Sequence, residues 1–436
     1  MKAWLRTYGC RANQADTEQL RTSLTALGVE IVADVRDADV AVFNSCAVTR
    51  EAEADLRQGV RRAARERPGL ASVVMGCAAA LDDGAIARLP GVGAVVPGGD
   101  TIGALQALGL PAAPRVGAGR QAAPQSGARA LLRVQDGCAE HCTFCATTLA
   151  RGAHRSRAVG EIVREAQALA AWHPEIVITG THIGHYGIDC GSSLGALVAQ
   201  LIRHVPHTRL RLTSVEATEV DGALSTQLRG EACEGRLVPH LHAPLQSGSD
   251  AVLRRMGRHW YTARAYARAV ERLVRQAPVF ALGADVIAGF PGESEADHRA
   301  TVSLVESLPF TYLHVFPYSP RPGTAAVRLG AAVPPAAVAR RAAELRAVGE
   351  RRAVAYAASR VGGLADVVVV GEGRQRGGLT EDYLSVSLAD PALPRRTRFT
   401  ARLMPGVTGR LLATVAPTAP PTAPMLPLTD LAPASA

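Results

Sequence analysis

Apolar runs alternate with amphipathic stretches along most of the chain. Within the first hundred residues, runs at 40–43 and 73–75 are apolar at successive positions, and 3–8 and 92–96 are mostly apolar. That pattern suits strands covered on both faces. Between them, 16–27 and 49–65 carry helical spacing, the first stopping at Gly28. Residues 1–110 therefore predict an open parallel α/β domain. Residues 111–129 are rich in Pro, Ala, Gly and Gln without apolar period, as a linker would be.

The strand–helix alternation resumes over 130–358. Strands are expected at 131–134, 176–179, 210–215, 237–245, 284–288 and 312–316. Helical segments fall at 159–172, 194–205, 223–228, 251–276 (a pair), 295–308 and 338–357. Six such units predict a partial (β/α)6 barrel with chemistry on the loops at the strands' carboxyl ends. Residues 359–415 change to short β-like runs and Gly-rich turns, the pattern of a small β-barrel. The Ala/Pro/Thr-rich 416–436 reads as a disordered tail. The fold class expected is thus α/β in two domains, with a small C-terminal β domain.

Composition narrows the function classes. A chain of 436 residues with 47% hydrophobic and 20% charged residues is globular in type, and no run reaches the length of a membrane span. The net charge is +9, and Lys2 is the only lysine, so arginine carries the positive charge. Arginine suits bidentate phosphate contact, as at Arg57, Arg61, Arg62 and Arg65, although a GC-rich coding bias also writes Arg for Lys. No signal peptide opens the chain, so a reducing cytoplasm is expected.

That setting directs the 8 cysteines toward metal or catalysis. Cys138, Cys142 and Cys145 form a C-x3-C-x2-C run on the first barrel loop. Three thiolates there can hold three corners of a four-iron cluster and leave one iron open to a ligand. Structural zinc is the alternative, and it needs a fourth ligand. His141 is at hand, but it lies inside the loop, poorly placed to close a tetrahedron. Cys10, Cys46 and Cys77 are distant in sequence, yet each follows a predicted strand. A parallel sheet would collect them at one edge, where ligands bind, as a second thiolate triad. Three small buried residues are the plainer reading. Cys190 and Cys233 read as incidental.

The Cys138–Cys145 run resembles the signature of radical S-adenosylmethionine (SAM) enzymes. The segments around Cys10 (TYGCRANQ), Cys46 (FNSCAVT) and Cys77 (MGC) resemble those of the methylthiotransferase family within that superfamily. ITGTHIGHYGID, from Ile178 to Asp189, looks most like its MtaB subgroup. The C-terminal segment resembles the small RNA-binding barrel, TRAM, that ends these enzymes. Ala146-Thr147-Thr148-Leu149, Ala217-Thr218 and Cys190 depart from the family pattern.

The resemblance implies two 4Fe–4S clusters, held by the two triads, with SAM on the open iron of the loop cluster. It implies methylthiolation of C2 of N6-threonylcarbamoyladenosine at tRNA position 37. The same chemistry on another tRNA adenosine or a ribosomal-protein aspartate, or a non-catalytic iron–sulfur RNA-binding sensor, are the alternatives. Cofactor contacts are expected from Gly180, Thr181, Arg151, Glu216 and Gly289, and substrate contacts from His182, His242 and Gln246. The implied partners are the tRNA anticodon loop and a reductase or flavodoxin-type electron donor. The sulfur donor is left open.

Overall fold

The computed structural model describes residues 1–47, 50–112, 124–230, 236–275, 277 and 279–416. Most of the linker, Cys233 and nearly all of the tail lie outside these residues. Five parallel strands, β1 (Lys2–Thr7), β2 (Glu30–Ile31), β3 (Val40–Ser45), β4 (Ala71–Gly76) and β5 (Val92–Pro97), form the first sheet in the order β2-β1-β3-β4-β5. Helices α1 (Arg11–Ala26), α2 (Arg50–Glu66), α3 (Cys77–Ala80) and α4 (Thr101–Ala107) cover it. Apolar residues pack on both faces, with Phe43, Leu56 and Val74 in one layer and Leu20, Val42 and Met75 in the other. That explains the unbroken apolar runs.

The sheet's order reverses direction between β1 and β3, the switch point at which open α/β sheets bind ligands. Cys10 and Cys46 follow those two strands, and Cys77 follows the neighbouring β4. Helix α1 begins at Arg11, five residues before the pattern predicted, because its first turn is polar and serves the cysteine face.

The central domain opens with β6 (Ala130–Arg133), which leads into the two-stranded ribbon β7 (Gln135–Asp136) and β8 (Arg155–Ser156). Strands β9 (Glu175–Thr179) and β10 (Arg209–Leu212) join β6 in the parallel order β10-β9-β6. Strands β11 (His240–His242), β12 (Ala281–Ala288) and β13 (Tyr312–Pro317) form a second parallel set. Single bridges, Leu210 to Leu237 and Ser214 to His242, connect the two sets into an open six-strand barrel wall. The strand expected at 237–245 is therefore only three residues long, flanked by isolated pairings. Helices α5 (Thr147–Arg151), α6 (Val159–Ala170), α7 (Leu194–His204), α8 (Gly222–Leu228), α9 (Asp250–Arg255), α10 (Ala263–Val274), α11 (Glu295–Ser307) and α12 (Pro335–Ser359) follow. Much of the wall's outer layer, with Ala342, Leu345 and Val348 of α12, forms one apolar core.

Strands β14 (Leu364–Val370), β15 (Gly377–Thr380), β16 (Ser385–Leu388), β17 (Arg398–Met404) and β18 (Leu412–Val415) close into a barrel. It docks under the amino-terminal end of the central strands, opposite the cysteine loops. Arg209 and Arg211, fully buried at the start of β10, hold Glu175 at 2.5 and 2.8 Å. They also donate to the carbonyls of Leu379, Thr380 and Glu381, each at 3.0 Å. Burial alone would raise the Glu175 pKa; Arg209, Arg211 and Arg129 outweigh it and hold the carboxyl well below the usual range. Tyr383 of the small barrel stacks on His240 with ring centroids 4.5 Å apart. Among the described residues no helix is long and apolar enough to cross a membrane.

Candidate active site

The Cys138 loop starts at Gly137, whose φ is +70°. A side chain there would meet the Ala153 carbonyl at 1.9 Å, so only glycine permits this turn. Further along, the backbone N–H of Thr143 donates to Met256 O at 2.8 Å, and its hydroxyl to Arg255 O at 2.8 Å. Phe144 meets Phe290 edge-on, with centroids 6.3 Å apart. The loop is thus clamped to the end of α9 and to the turn after β12.

Each thiol of the loop has a donor beside it. Glu140 N lies 3.4 Å from Cys138 Sγ, and Thr147 N 3.4 Å from Cys145 Sγ. Arg258 Nη1 lies 3.4 Å from Cys142 Sγ, and His182 Nδ1 3.5 Å from Cys138 Sγ. Burial pushes the Cys142 thiol up to about 12, partly offset by Arg258. His182 also reaches Glu219 at 2.8 Å and stacks on His185, centroids 4.0 Å apart. Burial works against its charge, but Cys138 and Glu219 raise its pKa to about 10.

The second triad is built by tertiary structure. Cys46 and Cys77 are buried and Cys10 is exposed. A buried polar knot joins their loops. The Asn13 amide donates to Asn44 Oδ1 at 2.8 Å and to Ser45 O at 3.0 Å. Asn44 returns a bond to Asn13 O at 2.9 Å, and Ser45 Oγ donates to Met75 O at 2.6 Å. Cys10 Sγ donates to Asn13 Oδ1 at 3.3 Å. Gly76, at φ +105°, lets the chain pass the Ser45 carbonyl, which a Cβ would meet at 2.4 Å.

The two triads are brought together by α5, the helix that starts two residues after Cys145. Ala146, at its N-cap, and its Ala150 pack in one apolar cluster with Cys77, Ala78 and Ala79 of α3. At its end, Arg151 Nε donates to Cys77 Sγ at 3.2 Å, Nη2 to Asp16 at 2.7 Å and Nη1 to Asp136 at 3.1 Å. Arg133 reaches the same Asp16 at 2.7 Å. Arg151 was expected to meet a cofactor carboxylate. Instead every guanidinium nitrogen is engaged: Nε and Nη2 cross to the first domain at Cys77 and Asp16, and Nη1 holds Asp136 of its own domain. The departures from the family pattern at 146–149 fall on this interdomain helix.

Other expected contacts divide. Gly180 and Thr181 sit at the end of β9 beside the loop. A Cβ on Gly180 would meet Gln135 O at 2.8 Å, and Thr181 Oγ1 donates to Asp136 at 3.1 Å. Glu216 was expected to be free for ribose hydroxyls. It is buried, with Oε1 held by Arg258 and Oε2 accepting from Trp260 at 2.6 Å. Gly289, expected to face an adenine, turns its bare Cα toward Val338 of α12, which a Cβ would meet at 2.4 Å. His242 is drawn into a chain inside the barrel, with Nδ1 3.1 Å from the Tyr312 hydroxyl and Nε2 3.0 Å from Asp285. Gln246 has φ +63° and joins the turn to β12 through the bond from its N–H to Asp285 O at 2.8 Å. Gln135 was not singled out by the sequence. It is fully buried, accepts from Thr181 N (3.0 Å) and His182 N (2.8 Å), and donates to Gly137 O. One amide thereby ties the β9 loop to the cysteine loop. Its only sequence signal is a polar residue following an apolar strand.

The donor set fits clusters better than a single ion. Among the described residues two groups bring three potential ligand atoms within 4.8 Å of one another, His182–His185–Glu219 and His242–Asp285–His314, and neither contains a thiol. Thiols that stand further apart suit a polynuclear cluster, whose corners are wider spaced than one ion's ligands. His141 is exposed and in no such group.

Comparison with known proteins agrees with this geometry. Residues 2–98 match the uncharacterized protein family UPF0004, and residues 132–305 the radical SAM superfamily. A threonylcarbamoyladenosine tRNA methylthiotransferase, MtaB, of Aquifex aeolicus is 33% identical over 88% of this chain and 96% of its own length. The MtaB of Bacillus subtilis is 36% identical over 74% of each chain. A tRNA-2-methylthio-N(6)-dimethylallyladenosine synthase of Acidothermus cellulolyticus is 34% identical over 85% of this chain and 78% of its own. The chain belongs to the radical SAM methylthiotransferase family. The enzyme's fold also resembles a radical SAM methyltransferase, TsrM, of Kitasatospora setae, with TM-score 0.56 and 15% identity over 74% of this chain and 76% of that one. Enzymes of this family use SAM and two 4Fe–4S clusters.

Proposed function

We propose that the enzyme adds a methylthio group to C2 of N6-threonylcarbamoyladenosine at position 37 of tRNA, in the cytoplasm. Cys138, Cys142 and Cys145 hold one cluster, and Cys10, Cys46 and Cys77 the other. The packing of α5 on α3, with Arg151 bonded to Cys77, carries this reading, because it sets the two triads against each other across one boundary. A sensor has no need of such apposition. An aromatic C–H offers neither acidic proton nor leaving group, so radical chemistry supplied by the bound cofactors is required.

The chain's own residues bind and orient. Gly180, Thr181 and His182, tied to the cysteine loop by Gln135, border the SAM site. Arg258 and His182 donate toward loop thiols and favour the negative cluster. A base in an anticodon loop is already unpaired, which lowers the work of presenting it. A flavodoxin-type reductant is the expected electron source.

Nucleoside mass spectrometry of tRNA from a strain lacking this chain tests the substrate. Loss of methylthio-threonylcarbamoyladenosine is expected. Unchanged levels without a paralogue, or loss of a modified ribosomal-protein aspartate instead, would overturn it.

A further inference from the structure

The small barrel docks at the end of the central strands opposite the cysteines. RNA held there needs a path along the side of the molecule to reach them. Among the described residues a cleft follows such a path. It has a volume of about 390 Å³ and is lined by all three domains: β1 and α1 of the first, the 125–129 loop and Val177 of the second, and Val370–Gly371 of the third. Strand β2 pairs with β1 only through Lys2 and Ala3, leaving the Leu5–Thr7 edge open to form part of the lining.

The wall is a single stripe of α1. Arg11, Gln14, Glu18 and Arg21 all line the cleft at helical spacing, and ten residues of helix span about 15 Å. Arg11 directly follows the exposed Cys10, so this stripe starts at the second triad. Arg6 and Arg129 also line the cleft.

The charge balance is one-sided. Glu18 is the only carboxylate in the lining, and it accepts from both the N–H (3.0 Å) and the hydroxyl of Ser126. Arg21 stands 3.5 Å from it, with Nε buried and without a hydrogen-bond partner. Arg129 is paired to Glu175 at 3.1 Å. Arg11 is bonded to neutral Gln14 at 2.7 Å, and Arg6 lies over the Tyr8 ring at 5.7 Å; neither forms a salt bridge among the described residues. Arg396 of the small barrel adds a further guanidinium at the loop, donating to Gln125 O at 2.6 Å. Guanidinium groups along a concave path match a chain of phosphates.

We propose that this cleft binds the sugar–phosphate backbone of the substrate tRNA and leads the strand from the small barrel to the cysteine face. The inference rests on the tRNA reading above. The test is equilibrium binding of unmodified-at-C2 substrate tRNA to the reconstituted holoenzyme across a salt series, comparing wild type with Arg6→Ala, Arg21→Ala and the double variant. Each single variant should weaken binding several-fold. Each should also flatten the slope of log K against log salt by about 0.7–0.9 for every phosphate it no longer neutralises. Arg268→Ala/Arg272→Ala, in a basic patch on α10, should bind as wild type. Iron content and circular dichroism check folding, and because Arg6 is exposed and has no ion pair, Arg6→Ala remains informative if Arg21→Ala misfolds. Wild-type affinity and slope in Arg6→Ala and the double variant would overturn the cleft. So would intact tRNA binding with lost response to an acidic flavodoxin. A wild-type enzyme without tRNA affinity would instead overturn the substrate reading.

Discussion

The two cysteine triads reach the same kind of site by opposite routes. Cys138, Cys142 and Cys145 lie within eight residues on one loop, and their spacing alone makes them a candidate ligand set. Cys10, Cys46 and Cys77 span nearly seventy residues and meet because three adjacent parallel strands end on one edge. The local triad is held by contacts from outside its loop, namely Met256, Arg258 and Gln135. The distributed one is held by a knot of its own neighbours, Asn13, Asn44 and Ser45. A local motif declares its chemistry but borrows its geometry, whereas a distributed motif carries its geometry with it.

Removing a ligand from each triad should break the comparison most sharply. Cys138→Ala is expected to abolish formation of 5′-deoxyadenosine by the anaerobically reconstituted enzyme. Cys46→Ala should leave SAM cleavage largely intact and abolish methylthio transfer. Equal loss of both activities in the two variants would mean that the triads do not divide the reaction.

Glycine substitutions probe the same division through the backbone. Gly137→Ala faces a 1.9 Å approach to Ala153 O, and Gly76→Ala one of 2.4 Å to Ser45 O, both at positive φ. The backbone strain alone is about 1–3 kcal/mol at each, and the approach adds to it. Iron analysis should show each variant losing one cluster: Gly137→Ala that of the loop, Gly76→Ala that of the first domain. Retention of both clusters in either would show that the turn is not required.

Arg151 joins the triads, so its variants sharpen the contrast. Arg151→Gln leaves buried Asp16 with Arg133 alone and removes the donor at Cys77. A loss of about 3 kcal/mol in unfolding free energy is expected. The electron paramagnetic resonance signal of the second cluster should change while that of the loop cluster persists. Arg151→Lys should restore part of the stability but not the signal, since an ammonium cannot serve three directions of a planar fork.

The smallest effect concerns the loop that seats the small barrel beside the first two domains. His173 accepts from Gln125 N at 3.1 Å and meets Ala128 O at 3.2 Å, a pattern that requires the neutral ring. Burial, with repulsion from Arg396 and Arg395 and against the Ala128 bond, lowers its pKa from 6.5 to about 4. The unfolded chain therefore binds a proton that the folded one refuses. Stability present above pH 6.5 falls as the pH drops toward 4, by up to about 3 kcal/mol. Denaturant midpoints should show this fall, and His173→Gln should flatten it.

The α/β alternation was legible because strands buried on both faces must be continuously apolar, as 40–43 and 73–75 are. The cysteines stood out as candidate ligands because few residue types serve as soft ligands. Arg151, Glu216 and Gly289 meet partners that the sequence reading did not foresee, for a common reason. A polar or flexible residue announces a need for a partner but not which one. Arg151 finds Asp16, 135 positions away, and Glu216 finds Arg258, 42 away. Gln135, Asn13 and Asn44 escaped attention because buried amides look like loop residues until their neighbours are known.

Side-chain chemistry and hydrophobic period, both local properties, thus settled which residues can ligate and where strands and helices lie. Sheet order and domain docking decided the rest: that three remote cysteines come to one sheet edge, that α5 packs beside Cys77, and that an arginine-lined cleft reaches Arg11, next to Cys10. Those outcomes depend on long-range packing, in which each buried charge or amide takes whichever partner the fold brings within reach.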